Sequence, residues 1–112
     1  MSQAEHRLCV YGTLAPGRSN HREVAHLGGT WSEITVTGRV AKRRYPVFTF
    51  DPEGAPQPML LLEATALATA WPQLDRFEGR EYRRIAVPAT RQDGSTVEAF
   101  VYEAVRPVDP AS

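Results

Sequence analysis

The chain has one cysteine in 112 residues, no net charge, and no apolar run near the roughly 20 residues a membrane-spanning helix requires. Each scarcity excludes something. Cys9 cannot form an internal disulfide. It sits in an apolar, β-prone stretch where cysteine serves as a small hydrophobe, and neither a helix start nor a neighbouring cation is there to activate a thiolate. Thirteen Lys and Arg balance thirteen Asp and Glu, so no global field draws the chain to nucleic acid or an anionic membrane. Apolar runs are as short as Met59 to Leu62, and the N-terminal segment lacks the apolar region of a secretory signal. A cytoplasmic location is therefore expected, with no nucleic-acid or membrane partner and the chain a monomer or a homodimer. His6, His21 and His26 lack ligand spacing with any cysteine or carboxylate pair, so no metal site is expected. No repeat or linker interrupts the sequence.

Hydrophobic residues make up 42% of the chain and charged residues 23%, enough to bury one core but not two. A single domain over residues 1–112 is the expectation. Leu8 to Tyr11 reads as a buried first strand ending at Gly12. The Gly, Pro, Ser and Asn residues up to Asn20 mark a structured loop. Asn20 and Glu23 have capping-box spacing ahead of a short helix, His21 to Leu27, which Gly28 and Gly29 should stop. Trp31 to Val40 reads as a long strand with Ile34, Val36, Gly38 and Val40 facing inward, and Pro46 to Phe50 as a shorter one. Asp51 to Pro58, with three prolines, reads as an exposed loop before a strand over Met59 to Ala64. The spacing predicts a helix over Ala66 to Glu78, with Pro72 tolerable only near a helix start and Gly79 as the stop. Tyr82 to Thr90 and Thr96 to Tyr102 form a hairpin around Asp93 and Gly94, and the tail beyond Val105 should fray. The fold class is α+β: a small, strongly curved, mainly antiparallel β-barrel-like sheet flanked by two short helices.

Two features point to chemistry. At about 100° per residue, Leu67, Leu74 and Glu78 all fall within about 60° of Trp71, while Gln73 and Arg76 lie opposite. Glu78 thus sits inside an apolar stripe. A carboxylate buried without a partner is driven toward its neutral form, which suits it to take and return a proton near neutral pH. A frayed last turn, or pairing with Arg80, Arg83 or Arg84, would instead leave it an ordinary surface acid. The second feature is VYGTLAPG between a strand and a helix. Successive N–H groups there can converge on an anion, and Gly12 admits close approach because it lacks a Cβ. The segment lacks a Gly-Lys-Ser/Thr ending and a GxGxxG pattern, so a carboxylate suits it as well as a phosphate. A plain β-to-α turn has the same composition.

Taken together, these segments are recognisable. VYGTLAPGRSNH at 10 to 21 resembles the YGSL-type signature of the γ-glutamylcyclotransferase-like (AIG2-like) family, and LDRFEGREYRR at 74 to 84 resembles its LDxFEG…YxR signature. RYP at 44 to 46 and VEAFVY at 97 to 102 fit the family order. The resemblance implies a barrel-like α+β fold, a loop of Tyr11, Gly12, Thr13 and Leu14 that binds a γ-glutamyl group, and Glu78 as the catalytic acid/base. It implies release of 5-oxoproline from γ-glutamyl amines, amino acids or peptides, without metal or organic cofactor. Tyr82 follows the glutamate as the family tyrosine does, so it and Tyr11 become candidate substrate hydroxyls or, equally, core aromatics. Thr13 stands where serine is commonest, and only Arg80 and Glu81 separate FEG from YRR. Lys42, Arg43 and Arg44 form a basic run that reads as a solvated strand end. A binding module of the same fold without chemistry is the alternative reading. A third is an acyl-transfer hydrolase with Cys9 or Thr13 as nucleophile and His21 or His26 as base.

Overall fold

The computed structural model describes residues 3–42 and 46–105. RYP, most of the basic run and the C-terminal tail thus lie wholly or largely outside the described residues. The strands are β1 (Arg7–Val10), β2 (Thr30–Lys42), β3 (Pro46–Phe50), β4 (Ala55–Glu63), β5 (Tyr82–Arg91) and β6 (Thr96–Ala104). The α-helices are α1 (Arg22–Ala25) and α2 (Trp71–Glu78), with 3₁₀ turns at Ala4–His6 and Thr65–Thr69.

Five strands close on themselves in the order β2, β4, β1, β6, β5 and back to β2. The closing seam pairs Ile34 with Arg91 and Thr35 with Thr90. β1 and β6 are parallel, whereas the other described pairings are antiparallel. β3 lies outside the ring, on the far end of β2 from Gly38 to Lys42. The result is an α+β barrel with an extra strand and two short helices, the fold class expected from sequence.

Alternation along β1 builds two cores at once. Cys9 joins Ile34, Phe48, Leu61, Val87 and Val101 inside the barrel. Leu8 and Val10 point the other way, onto Leu62 and the layer made by Val24 of α1, Leu67, and Trp71 and Leu74 of α2. β1 is buried on both faces, which is why LCV is continuous in apolar character rather than alternating.

Several expectations shift for local reasons. The helix expected over residues 66–78 is two pieces, the 3₁₀ turn and then α2, broken at Ala70. Pro72 has no N–H to give to a preceding turn and its ring would clash with one, so it starts a helix instead of continuing one. Leu67, Trp71 and Leu74 are nevertheless all buried, as the stripe requires. The loop expected over Asp51 to Pro58 gives way to strand at Ala55. Pro56 and Pro58 sit opposite Thr37 and Thr35, in a stretch that pairs with β2 alone because β1 covers β4 only from Leu60 to Glu63. Prolines are tolerated on such an edge, where no second ladder needs their N–H. Val40 was expected inward and is 41% exposed, because β2 has by then left the ring to pair with β3. α1 is shorter than its expected span, and Asn20 does not cap it: its side chain reaches back to the loop. Gly28 and Gly29 end that segment at φ 69° and 83°, values that side chains rarely tolerate.

Candidate active site

The chain leaves β1 at Val10 and folds into consecutive tight turns. Ala15 N donates to Gly12 O (3.2 Å), Arg18 N to Ala15 O (3.0 Å) and Asn20 N to Thr13 O (2.9 Å). Asn20 Nδ2 donates to Thr13 Oγ1 at 2.8 Å, and His21 Nδ1 donates to Leu14 O at 2.9 Å. The Leu14 side chain is buried as an anchor. The loop is thus pinned through its carbonyls and side chains. No hydrogen bond among the described residues engages the N–H groups of Gly12, Thr13 or Leu14. A Cβ built on Gly12 meets nothing within 4 Å, so the backbone faces open space there.

Glu78 ends α2, and Gly79 turns the chain away at φ 78° with its N–H on Asp75 O. The helix end and the loop flank one cavity of about 450 Å³, lined by Tyr11, Gly12, Thr13, Leu14, Glu78 and Tyr82 among others. All six sequence-derived site residues therefore meet at one place. Glu78 is half-buried and makes no ion pair among the described residues. Arg83 is on Glu103 and Arg84 on Asp75. Burial alone raises the Glu78 carboxyl from its ordinary 4.5 to about 7, as loss of hydration without a compensating charge demands. Burial, and then the neighbouring Tyr82 and Glu78, also push the Tyr11 phenol upward, so it remains a hydrogen-bond donor. Its hydroxyl donates to Tyr102 O at 2.7 Å.

Three residues that sequence reasoning did not assign to the site hold the two halves of the cavity together. Tyr102 OH donates to Asp75 Oδ1 (2.7 Å), and Arg84 donates to both oxygens of the same carboxylate (2.9 and 3.2 Å). The Arg84 guanidinium lies 4.6 Å from the Trp71 ring centre and 4.5 Å from that of Phe100, a stacked, bidentate site that lysine could not fill. Burial would raise the Asp75 carboxyl, but the bonds from Arg84 and Tyr102 outweigh it and hold Asp75 below the usual carboxylate range. Since Tyr102 carries the Tyr11 bond on its carbonyl and the Asp75 bond on its hydroxyl, one β6 residue ties the loop to α2 one turn before Glu78. The signal was present: Asp75 and Arg84 are the D and R of the second signature.

The nucleophile readings fare otherwise. Cys9 is 2% exposed inside the barrel and burial pushes its thiol up to about 12, while Thr13 Oγ1 is engaged by Asn20 and His21 Nδ1 by Leu14 O. No group of three His, Cys, Asp or Glu among the described residues is placed to hold a metal, and no helix there is long and apolar enough to cross a membrane.

Comparison with known proteins agrees with this fold. Among solved structures, YkqA from Bacillus subtilis aligns over 91% of this chain and 36% of its own, at 22% identity and a TM-score of 0.73. An uncharacterized protein from Pyrococcus horikoshii aligns over 91% of this chain and 80% of its own, at 22% identity and a TM-score of 0.68. An AIG2-like protein from Mus musculus aligns over 95% and 80%, at 21% identity and a TM-score of 0.68. At these identities the likeness is one of fold. No curated protein matches the sequence. The family model described as gamma-glutamyl cyclotransferase, AIG2-like, matches residues 8–111, and this chain belongs to that family.

Proposed function

We propose that this chain is an enzyme that cyclises a γ-glutamyl compound and releases 5-oxoproline, with Glu78 as general acid/base and the whole chain acting as one domain. One observation carries the reading: an unpaired carboxyl raised to about 7 shares a cavity with three unengaged N–H groups. In the first step ionised Glu78 takes a proton from the substrate α-ammonium. A chain-terminal α-amino group titrates near 8, and the substrate's, beside its own free carboxylate, is less acidic still, so the transfer is uphill by more than about 1.4 kcal/mol. The freed amine attacks its own γ-carbonyl carbon, and the carbonyl π electrons move to oxygen. The attacking nitrogen now carries a positive charge. As the tetrahedral intermediate collapses, Glu78 returns its proton to the leaving nitrogen and the bond to that nitrogen breaks. Glu78, ionised again, takes the second proton from the lactam nitrogen and passes it to the departing amine. Products are the five-membered lactam and a free amine or amino acid.

The N–H groups of Gly12, Thr13 and Leu14 hold the α-carboxylate or polarise the reacting carbonyl, and Tyr11 and Tyr82 line the substrate. Attack within one molecule needs little more than a folded substrate pose, which contributes about 7 to 11 kcal/mol. The chemistry as written calls on no metal or organic cofactor. The test is to incubate the protein with a panel of γ-glutamyl amines, amino acids and peptides and to measure 5-oxoproline. We expect turnover of at least one member and a loss of about 10²- to 10⁴-fold in Glu78→Gln. A fully active Glu78→Gln variant would remove the mechanism. Saturable binding with no turnover of any member would favour a non-catalytic binding module.

A further inference from the structure

A second cavity of about 560 Å³ adjoins the first, sharing Val10, Tyr11 and Gly12 with it. Ile34, Pro58, Met59 and Leu60 give it an apolar wall. Two guanidiniums, Arg18 and Arg91, and one carboxylate, Glu33, also line it. Arg91 is matched by Glu63 at 2.9 Å, and Glu33 accepts from Gln92. Arg18 makes no ion pair among the described residues. Its backbone is held on both sides, its N–H on Ala15 O and its carbonyl accepting from His21 N. The cavity therefore presents an apolar wall, one cation without an ion pair on a pinned turn, and the Glu33 carboxylate, which the neutral Gln92 amide tethers without cancelling its charge.

Resting on the cyclisation reading, we propose that this second cavity receives the leaving group, and that Arg18 selects leaving amines bearing a carboxylate beside an apolar side chain. The bond to be cut joins the γ-carbonyl to the leaving nitrogen, so the leaving group must depart from wherever the carbonyl sits. With the γ-glutamyl portion in the first cavity and its carbonyl at the loop N–H groups, the shared threshold at Gly12 is the way onward. No Cβ narrows it. The apolar wall takes an aliphatic side chain, and Arg18 takes the carboxylate by a charge-assisted hydrogen bond. The competing exit runs past Arg80 and Glu81, which line the first cavity; Arg80 is then the cation that would select an acid.

The experiment measures binding by calorimetry in Glu78→Gln, which holds ligand without cyclising it. The probes are γ-glutamyl-leucine and γ-glutamyl-leucinamide, which differ only in that carboxylate. We expect the acid to bind about five- to tenfold tighter than the amide. Adding Arg18→Gln should bring the acid down to the amide's affinity, while adding Arg80→Gln should preserve the ratio. Equal affinities, no binding of either probe, a preference that survives Arg18→Gln, or one that vanishes with Arg80→Gln would each overturn the proposal. The cyclisation reading is judged separately, by 5-oxoproline released from the leucinamide probe by the unsubstituted chain. Turnover without the preference retracts the subsite alone. The preference without turnover retracts the cyclisation and keeps the subsite.

Discussion

Replacing Glu78 by Gln should stabilise this protein at alkaline pH while disabling it. The carboxyl titrates near 4.5 in the unfolded chain and at about 7 in the folded one, with burial as the cause. Below pH 4 it is protonated in both states and costs nothing. As the pH rises through 4.5 the unfolded chain releases this proton and the folded chain keeps it, so stability falls. The fall ends once the folded carboxyl ionises near 7, and the deficit stays constant above that. At full strength this displacement amounts to about 3 kcal/mol. Glu78 keeps part of its hydration, so about 1 to 2 kcal/mol is the realistic deficit at pH 8. Gln has the same shape and never ionises, and should recover it. For a domain of this size that corresponds to a gain in Tm of about 5 to 10 °C at pH 8, with almost none at pH 4. Thermal unfolding followed by circular dichroism at the two pH values is the measurement. An equal Tm for both proteins at pH 8, or a gain of the same size at both pH values, would show that Glu78 is not shielded and would refute the reasoning.

For the proposed cyclisation, kcat/KM should rise with pH along a limb centred near 7 as Glu78 ionises, and a limb centred below 5 would point to a different base. Two glycines should separate space from strain. Gly12→Ala places its Cβ in open space and should fold with an unchanged Tm but bind γ-glutamyl substrates at least tenfold more weakly. Gly38→Ala drives its Cβ into Thr49 O and the Phe48 ring and should cost about 1 to 3 kcal/mol in denaturant unfolding. Asp75→Asn removes the charge that joins Arg84 and Tyr102 to α2. It should cost about 1 to 3 kcal/mol and lower kcat more than it raises KM, because the helix end carrying Glu78 loses its tether; an unchanged kcat would separate the clamp from the chemistry.

Much of this molecule was legible along the chain because the deciding forces are local. β-branched runs broken by turn residues marked the strands, Asp93 and Gly94 marked the hairpin, and the helical period put Glu78 among Leu67, Trp71 and Leu74. Local reasoning failed where a partner strand or a distant side chain decided. Pro56 and Pro58 read as loop until β4 proved to have β2 on one side only, and Asn20 read as a helix cap until Thr13 lay within 2.8 Å of it. Spacing alone left Glu78 open between a surface ion pair and a shielded acid. Only the fold decided, by giving Arg83 to Glu103 and Arg84 to Asp75 and closing a cavity around the carboxyl that remained. The second cavity could not be read from sequence either, since it is assembled from five separate segments. Periodicity reports which way a side chain faces. What it meets there, and how much water it keeps, depends on contacts between residues far apart in the chain, and those contacts set the acidity that the proposed chemistry uses.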